Sequence, residues 1–306
     1  QAGFGWEPGE SFSKKALQNF VDVVSLPRSL LASFDYSYPL RQGLLMVRHG
    51  KEWKDAFGAG LKAFTDPDYA RQTMAEIRAA NRGKLQISRL SEEGGTFGER
   101  EEQFISRIAG KIPGLRRSQD AAIVFINKLR VDVYDNVLKA WQRQGVEISQ
   151  SRSDALASYI NRATGFGTLG NFENAAFELS QGFFAPRLLL SRFQAPAYMF
   201  HPDSAIRKEA IKDFVAVFGA ISSLTALAKA SGMADVELDP RSSSFGKIRI
   251  GKTRIDPWGG YQQIARYTTQ IASGQVKTSS GEIMGAKPED TLLRFIRSKA
   301  SPLVGL

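Results

Sequence analysis

The stretch Ser118–Gly145, "SQDAAIVFINKLRVDVYDNVLKAWQRQG", decides the fold class. Val124, Leu129, Val133, Val137 and Trp141 recur at steps of four or five residues, the spacing that gathers side chains onto one face of an α-helix. Ser118 reads as its N-cap and Gly145 as its terminator. A helix of this length sets the expectation for everything around it: a mainly α, irregular multi-helix domain.

The flanking sequence agrees. Upstream, "KEWKDAFGAGLKAF" carries Trp53, Phe57, Leu61 and Phe64 at helical spacing. "DPDYARQTMAEIRAAN" opens with Asp66 as N-cap and Pro67 at the first helical position. Pro39 starts a short helix that Gly50 ends, and Ser11 or Ser13 caps one that Pro27 stops. "KLQISRLSEEGGTFG" breaks the pattern and reads as a loop with at most a short strand. "EREEQFISRIAGKI" reads as a helix stopped by Pro113–Gly114. Downstream come "SRSDALASYINRATGFG", a helix signalled by Pro186, the long "DSAIRKEAIKDFVAVFGAISSLTALAKASG", and a last helix opened by Pro288 with two acids in its first turn. The division that follows is 1–37 as lead-in and helix, 38–238 as helical body, 239–260 as a basic β-hairpin, and 261–306 as C-terminal helices.

The hairpin is the one departure from helix. In "DPRSSSFGKIRIGKTRIDPWGG", Asp239–Gly260, a two-residue turn at Gly251–Lys252 fixes the register. Ile250 then faces Thr253, Arg249 faces Arg254, Ile248 faces Ile255 and Lys247 faces Asp256. One face carries Ile248, Ile250, Thr253 and Ile255 and should pack on helices. The other carries Lys247, Arg249, Arg254 and Asp256, with Lys252 at the tip. Directly opposed arginines destabilise an antiparallel pair, by a magnitude within roughly 0.2–1 kcal/mol. Asp256 and Asp239 are candidates to offset that locally, which would make the ribbon a solvated surface. A phosphate backbone would offset it externally. Both readings stay open at this point.

Net charge bears on the second reading. The chain of 306 residues has 41 basic and 31 acidic side chains, a formal +10. Between Arg241 and Lys299 there are 11 basic against 4 acidic residues, so most of the excess lies in that segment. A localised positive field favours DNA, an acidic partner or an anionic membrane face. Lys247, Arg249, Lys252, Arg254 and Arg266 are the expected contact residues.

Other motifs point less far. "GFGTLG", Gly165–Gly170, matches a dinucleotide-binding pattern in letters, but a helix precedes it where that motif requires a strand. It reads as a helix C-cap and link. "FFAPRLLLSRF", Phe183–Phe193, is either core or a base-stacking platform built with Arg187 and Arg192. "FVAVFGAISSLTALA", Phe214–Ala228, is 15 residues without a charge, shorter than the ~20 a membrane span needs. It reads as a buried central helix, with membrane insertion as the alternative. No cysteine is present, which excludes disulfides and thiolate metal sites. His49 and His201 stand alone in loop-like settings, and no zincin, nucleophile-elbow or Walker pattern occurs. No cofactor, metal or catalytic residue is expected.

Several phrases together resemble a known family. "YPLRQGLL", "INKLRVDVYD", "INRATGFGTLG", "FFAPRLLLSR", "DPRSSSFGKIRIGKTRIDPWGG" and "LLRFIRSKASPL" stand in this order. They are similar to a module near the C-terminal part of the large polyvalent proteins of phages and prophages, the block around the hairpin being the most specific. That family pattern often has a basic residue where Phe166 stands. The resemblance implies a virion-associated module delivered into the host cell cytoplasm with the genome, in contact with DNA or other virion proteins and open to self-association. A first residue other than Met fits a piece of a longer chain. The expectation is a non-enzymatic structural or DNA-delivery module. Its alternatives are an early-acting enzyme (a nuclease or peptidoglycan hydrolase) using carboxylates the sequence does not locate, and a membrane-channel component built on Phe214–Ala228.

Overall fold

The computed structural model describes residues 38–81, 85–90, 113–170, 186–232, 234–251, 253–278 and 280–299. The expected helices at residues 11–26 and 99–112 lie outside them, as does Lys252. In chain order the elements are α1 (Tyr38–Gln42), a 3-10 turn (Leu44–Met46), α2 (Gly50–Thr65), α3 (Pro67–Ala80), α4 (Pro113–Arg143), α5 (Gln150–Ala163) and α6 (Pro186–Ala197). Then follow a second 3-10 turn (Tyr198–Phe200), α7 (Ser204–Ala230), β1 (Asp235–Val236), β2 (Ile248–Ile250), β3 (Thr253–Ile255), α8 (Tyr261–Ser273), β4 (Gln275–Lys277), β5 (Ile283–Gly285) and α9 (Pro288–Lys299). The protein is mainly α, with a few short antiparallel strands near its C-terminal end.

α4 is the axis. It packs against α1, α2, α3 and α5. Phe125, Ile126, Leu129, Val133, Val137 and Trp141 are buried along it, joined by Leu45, Ala56, Met74 and Ile160 from its neighbours. Its start differs from the sequence reading. The helix begins at Pro113, and Ser118 lies in its second turn. Proline therefore opens this helix, as its missing N–H allows at a first position, where the sequence reading had it close the preceding one. The Asp66 cap is as expected: its Oδ1 accepts from the N–H groups of Asp68 and Tyr69, each at 3.0 Å.

Polar side chains on α4 and α5 fasten the segment 85–90, which is neither helix nor strand. Asn127 Oδ1 accepts from Ser88 N at 3.1 Å while its Nδ2 donates to Ser88 O at 2.8 Å. Asn161 Oδ1 accepts from Gln86 N at 3.0 Å, and Arg130 donates to Gln86 O at 2.8 Å. Buried backbone groups need partners, and here side chains supply what a sheet otherwise would.

α7 crosses the other side of the body. Ile206, Ala210, Phe214, Val217, Ile221 and Thr225 form its buried stripe. It is not buried all round: Val215 is 66% and Leu227 69% exposed, outside that stripe. Two small sheets follow. β1, β2 and β3 form one, in that order, and β4 pairs antiparallel with β5 in the other. β1 and the β4–β5 pair were not read from the sequence.

Candidate polyanion interface

The hairpin register is the expected one for three of its four pairs: Ile248 with Ile255, Arg249 with Arg254, and Ile250 with Thr253. The fourth, Lys247 with Asp256, does not form. The chain leaves the ladder at Ile248, and Asp256 is occupied elsewhere, its Oδ1 accepting from Trp258 N at 2.9 Å. Gly251, at φ +59°, supplies the positive φ the two-residue turn demands. The expected apolar seat is corrected as well. Ile248 is 7% exposed, but Ile250 and Ile255 are 52% and 48% exposed. Only the base of the ribbon rests on the body, and its outer half stands clear with both faces in water.

An aromatic stack seats the base. Trp258 lies against Phe245 and Phe218, with ring centroids 6.3 and 5.7 Å away, and donates from Nε1 to Gly246 O at 2.9 Å. Phe218 meets Tyr261 edge-on at 5.5 Å. Gly246 has φ +65°, and a Cβ there would sit 2.4 Å from Trp258 Nε1. The glycine and tryptophan of the hairpin block are thus two halves of one contact. Around them, basic residues are neutralised internally. The Asp239 carboxylate receives the Arg241 guanidinium at 2.9 and 2.8 Å, and Lys277 pairs with Glu237 at 2.7 Å. The Arg241 hydrogen bonds hold the Asp239 carboxyl down at about 2, well below the ordinary carboxylate range.

Arg249 and Arg254 are different. Both are exposed, and among the described residues neither makes an ion pair. Arg249 Nε donates to Gly251 O at 3.2 Å, an uncharged acceptor. The two acids expected to offset the arginines, Asp239 and Asp256, are committed to Arg241 and to the Trp258 turn. Asp235 of β1 stands opposite Arg249 in the ladder, though outside ion-pair distance. Lys247 is half-buried beside the base. Arg266 sits on α8, half-buried, stacked over the Tyr267 ring at 4.4 Å with its Nε buried. Lys247, Arg249 and Arg254 belong to the hairpin block, whereas Arg266 stands on a separate element.

In the "FFAPRLLLSRF" stretch the core reading holds for the arginines. Arg187 and Arg192 are buried and Phe193 is exposed. Arg192 lies 4.8 Å over the Tyr261 ring and donates to Arg41 O, and Arg187 lies 4.7 Å over Phe166. These guanidinium groups are part of the core, so no stacking platform for bases forms from them; Phe183 and Phe184 lie outside the described residues. The glycine loop ends α5, with Phe166 N donating to Asn161 O at 2.8 Å. That is the C-cap reading.

One titratable cluster escaped the sequence. Arg48 donates to Asp213 Oδ1 and Glu209 Oε2, both at 2.6 Å, and Tyr159 OH donates to Asp213 Oδ2 at 2.8 Å. His49 Nε2 is 3.4 Å from Asp213 Oδ1, so this histidine is not alone. Lys212 completes the set with Glu209 at 2.9 Å. Burial pushes the Tyr159 phenol well above its usual range, with Asp213 adding to the effect. Burial would raise Glu209, but Lys212 and Arg48 outweigh it and hold the carboxyl low. Two acids converge here, yet Asp213 is 1% exposed and cationic partners match the charge. The cluster ties α7 to the 3-10 turn and α5. A groove of about 360 Å³ lies elsewhere, between α3, α4 and α5, lined by residues such as Tyr134, Lys139 and Ser153. Among the described residues, no group of three histidines and acids could hold a metal ion.

No family model, curated protein or solved structure matches this chain.

Proposed function

We propose that this chain is a non-enzymatic, virion-associated structural or delivery module of a phage that meets a polyanion, DNA or an acidic protein, through its hairpin. The observation that carries the reading is the exposed Arg249–Arg254 pair, with no carboxylate in ion-pair contact among the described residues. Like charges set opposite each other cost stability, and here Asp239 and Asp256 are engaged by other partners. The resemblance to the large polyvalent proteins supplies the phage context and is strongest over this same block. The test is binding to a DNA duplex across a salt series. Affinity should fall steeply with salt, and Arg249→Glu with Arg254→Glu should flatten the slope by about 0.9 for each phosphate no longer neutralised. Affinity independent of salt sinks the reading.

A second reading has its own observation. α7 is long and apolar enough to cross a membrane, and only 33% of its most apolar window is buried. Ile211, Val215, Leu224 and Leu227 lie exposed on it. Under this reading the chain is a channel component of the ejection apparatus. Flotation with anionic liposomes checks it, and Val215→Glu with Leu227→Glu should then abolish flotation while leaving duplex binding intact.

A further inference from the structure

The hairpin ends in a sheet edge whose chemistry is more specific than its charge. β3 is the outer strand, and among the described residues nothing pairs with its far side. The turn closes on the Ile250–Thr253 pair, so Thr253 directs its N–H and C=O inward to β2. Alternation then points the N–H and C=O of Arg254 outward. One residue thus presents an open backbone donor, an open backbone acceptor and an exposed guanidinium at the same place.

The opposite edge of the sheet shows what completes such a position. There Arg249 receives β1, and β1 brings Asp235 directly opposite it and Val236 opposite Ile248. An acidic residue beside an apolar one has filled the inner edge, with Val236 buried. The outer edge has the same needs unmet. Arg254 lacks an acid across the ladder, and Ile250 and Ile255 are half exposed on the face next to it.

We propose that β3 is a docking edge for an extended acidic segment of a partner protein, which adds antiparallel as a fourth strand with a carboxylate opposite Arg254 and apolar side chains opposite Thr253 and Ile255. This rests on the reading of the hairpin as a polyanion contact and names the partner. DNA would use the cations but leave Ile255 in water and the backbone groups unpaired. A second copy of the same edge would set Arg254 against Arg254, the arrangement strand pairs avoid. Strand addition uses main-chain hydrogen bonds for affinity and alternate side chains for specificity, and an alternating apolar–acidic segment satisfies all three exposed elements at once.

The test uses the full chain, isotope-labelled for NMR, and three capped peptides. The first is Thr-Val-Asp-Val-Thr, the second has Lys in place of Asp, and the third has an N-methyl group on the Asp nitrogen. The first should shift the resonances of Thr253, Arg254 and Ile255 and slow exchange of the Arg254 amide. Arg254→Gln should weaken it about tenfold, the scale of one charge-assisted hydrogen bond. The Lys peptide should not bind. The N-methyl peptide keeps its charge but loses one strand hydrogen bond, and should bind markedly less well to the unaltered protein. Equal binding of the N-methyl peptide overturns strand addition, as does binding away from β3. If a duplex binds the ribbon and the Asp peptide does not, the acidic strand is wrong and the polyanion reading stands. If neither binds, both are wrong.

Discussion

Replacing Arg254 by Glu should make the hairpin more stable while weakening its binding to a polyanion. The two arginines face each other across a non-hydrogen-bonded pair, where Cα atoms approach to about 4.5 Å and side chains are closest. A directly opposed like-charge pair costs within roughly 0.2–1 kcal/mol, and an opposite-charge pair returns a similar amount. The swing is therefore about 0.4–2 kcal/mol. Two features of the structure place it low in that range. Asp235 already stands across from Arg249 on the other strand, so a new Glu shares that arginine with it. Both arginines are exposed, and water and salt screen the pair. The expected gain is about 0.5–1 kcal/mol at low salt, shrinking towards zero in molar salt. Hydrogen exchange at Ile250 and Thr253 reads it locally, since a short arm opens without unfolding the body. Unchanged or faster exchange in Arg254→Glu at low salt refutes the idea that the pair is held against a cost. Exchange slowed equally at every salt concentration assigns the gain to strand propensity and not to charge.

Two further outcomes test the seat of the ribbon. Gly246→Ala forces a non-glycine residue to φ +65° and puts its Cβ 2.4 Å from Trp258 Nε1. The backbone cost is about 1–2 kcal/mol, and loss of the tryptophan hydrogen bond adds about 1 kcal/mol. Denaturation should show both, with a collapsed near-ultraviolet signal from Trp258, whereas Gly281→Ala, at φ +93° with open space around it, should leave that signal intact. The Asp239 carboxyl is held at about 2 by Arg241, below its ordinary value of 3.8. A depressed folded-state pKa stabilises above the unfolded value and stops doing so as pH falls through the folded one. Asp239–Arg241 stabilisation should thus be complete above about pH 4 and be lost towards pH 2. The gap in hairpin protection between wild type and Asp239→Asn should close over that window; a constant gap refutes the assignment.

What the sequence disclosed and what it hid follow from the range of the interactions. The Asp66 cap depends on residues two and three positions away, and the hairpin register on a two-residue turn, so both were legible. The strands of β4 and β5 are three residues each, too short for alternation to register. Pro113 was ambiguous in principle, because proline punctuates a helix at either end. Alternation also said that Ile250 and Ile255 share a face with Ile248, which is true, and that the face is covered, which holds only at its base. Periodicity reports which side chains point the same way. It carries no information on how far the body beneath them extends.

The buried arginines and the Asp213 cluster mark the deeper limit, and they also sharpen the case for the hairpin. Arg130, at 0% exposure, bonds Thr164 and Gln86 O, residues 34 and 44 positions away, and Arg48 meets Asp213 across 165 positions. A rule that places charge outside fails for these residues because ring faces, carbonyls and distant carboxylates replace the water each one loses. Most cations that the fold covers have internal partners, as Arg48, Arg130, Arg192, Arg241 and Lys277 do, although the buried Nε atoms of Arg187 and Arg266 have none. Arg249 and Arg254 are set against each other on an arm that leaves the body, close in sequence to aspartates used for other purposes. Had solvation been the only requirement, one glutamate in either position would have met it at lower cost. A like-charged pair kept at the point where the fold stops supplying partners is the observation on which the proposal of an outside partner rests.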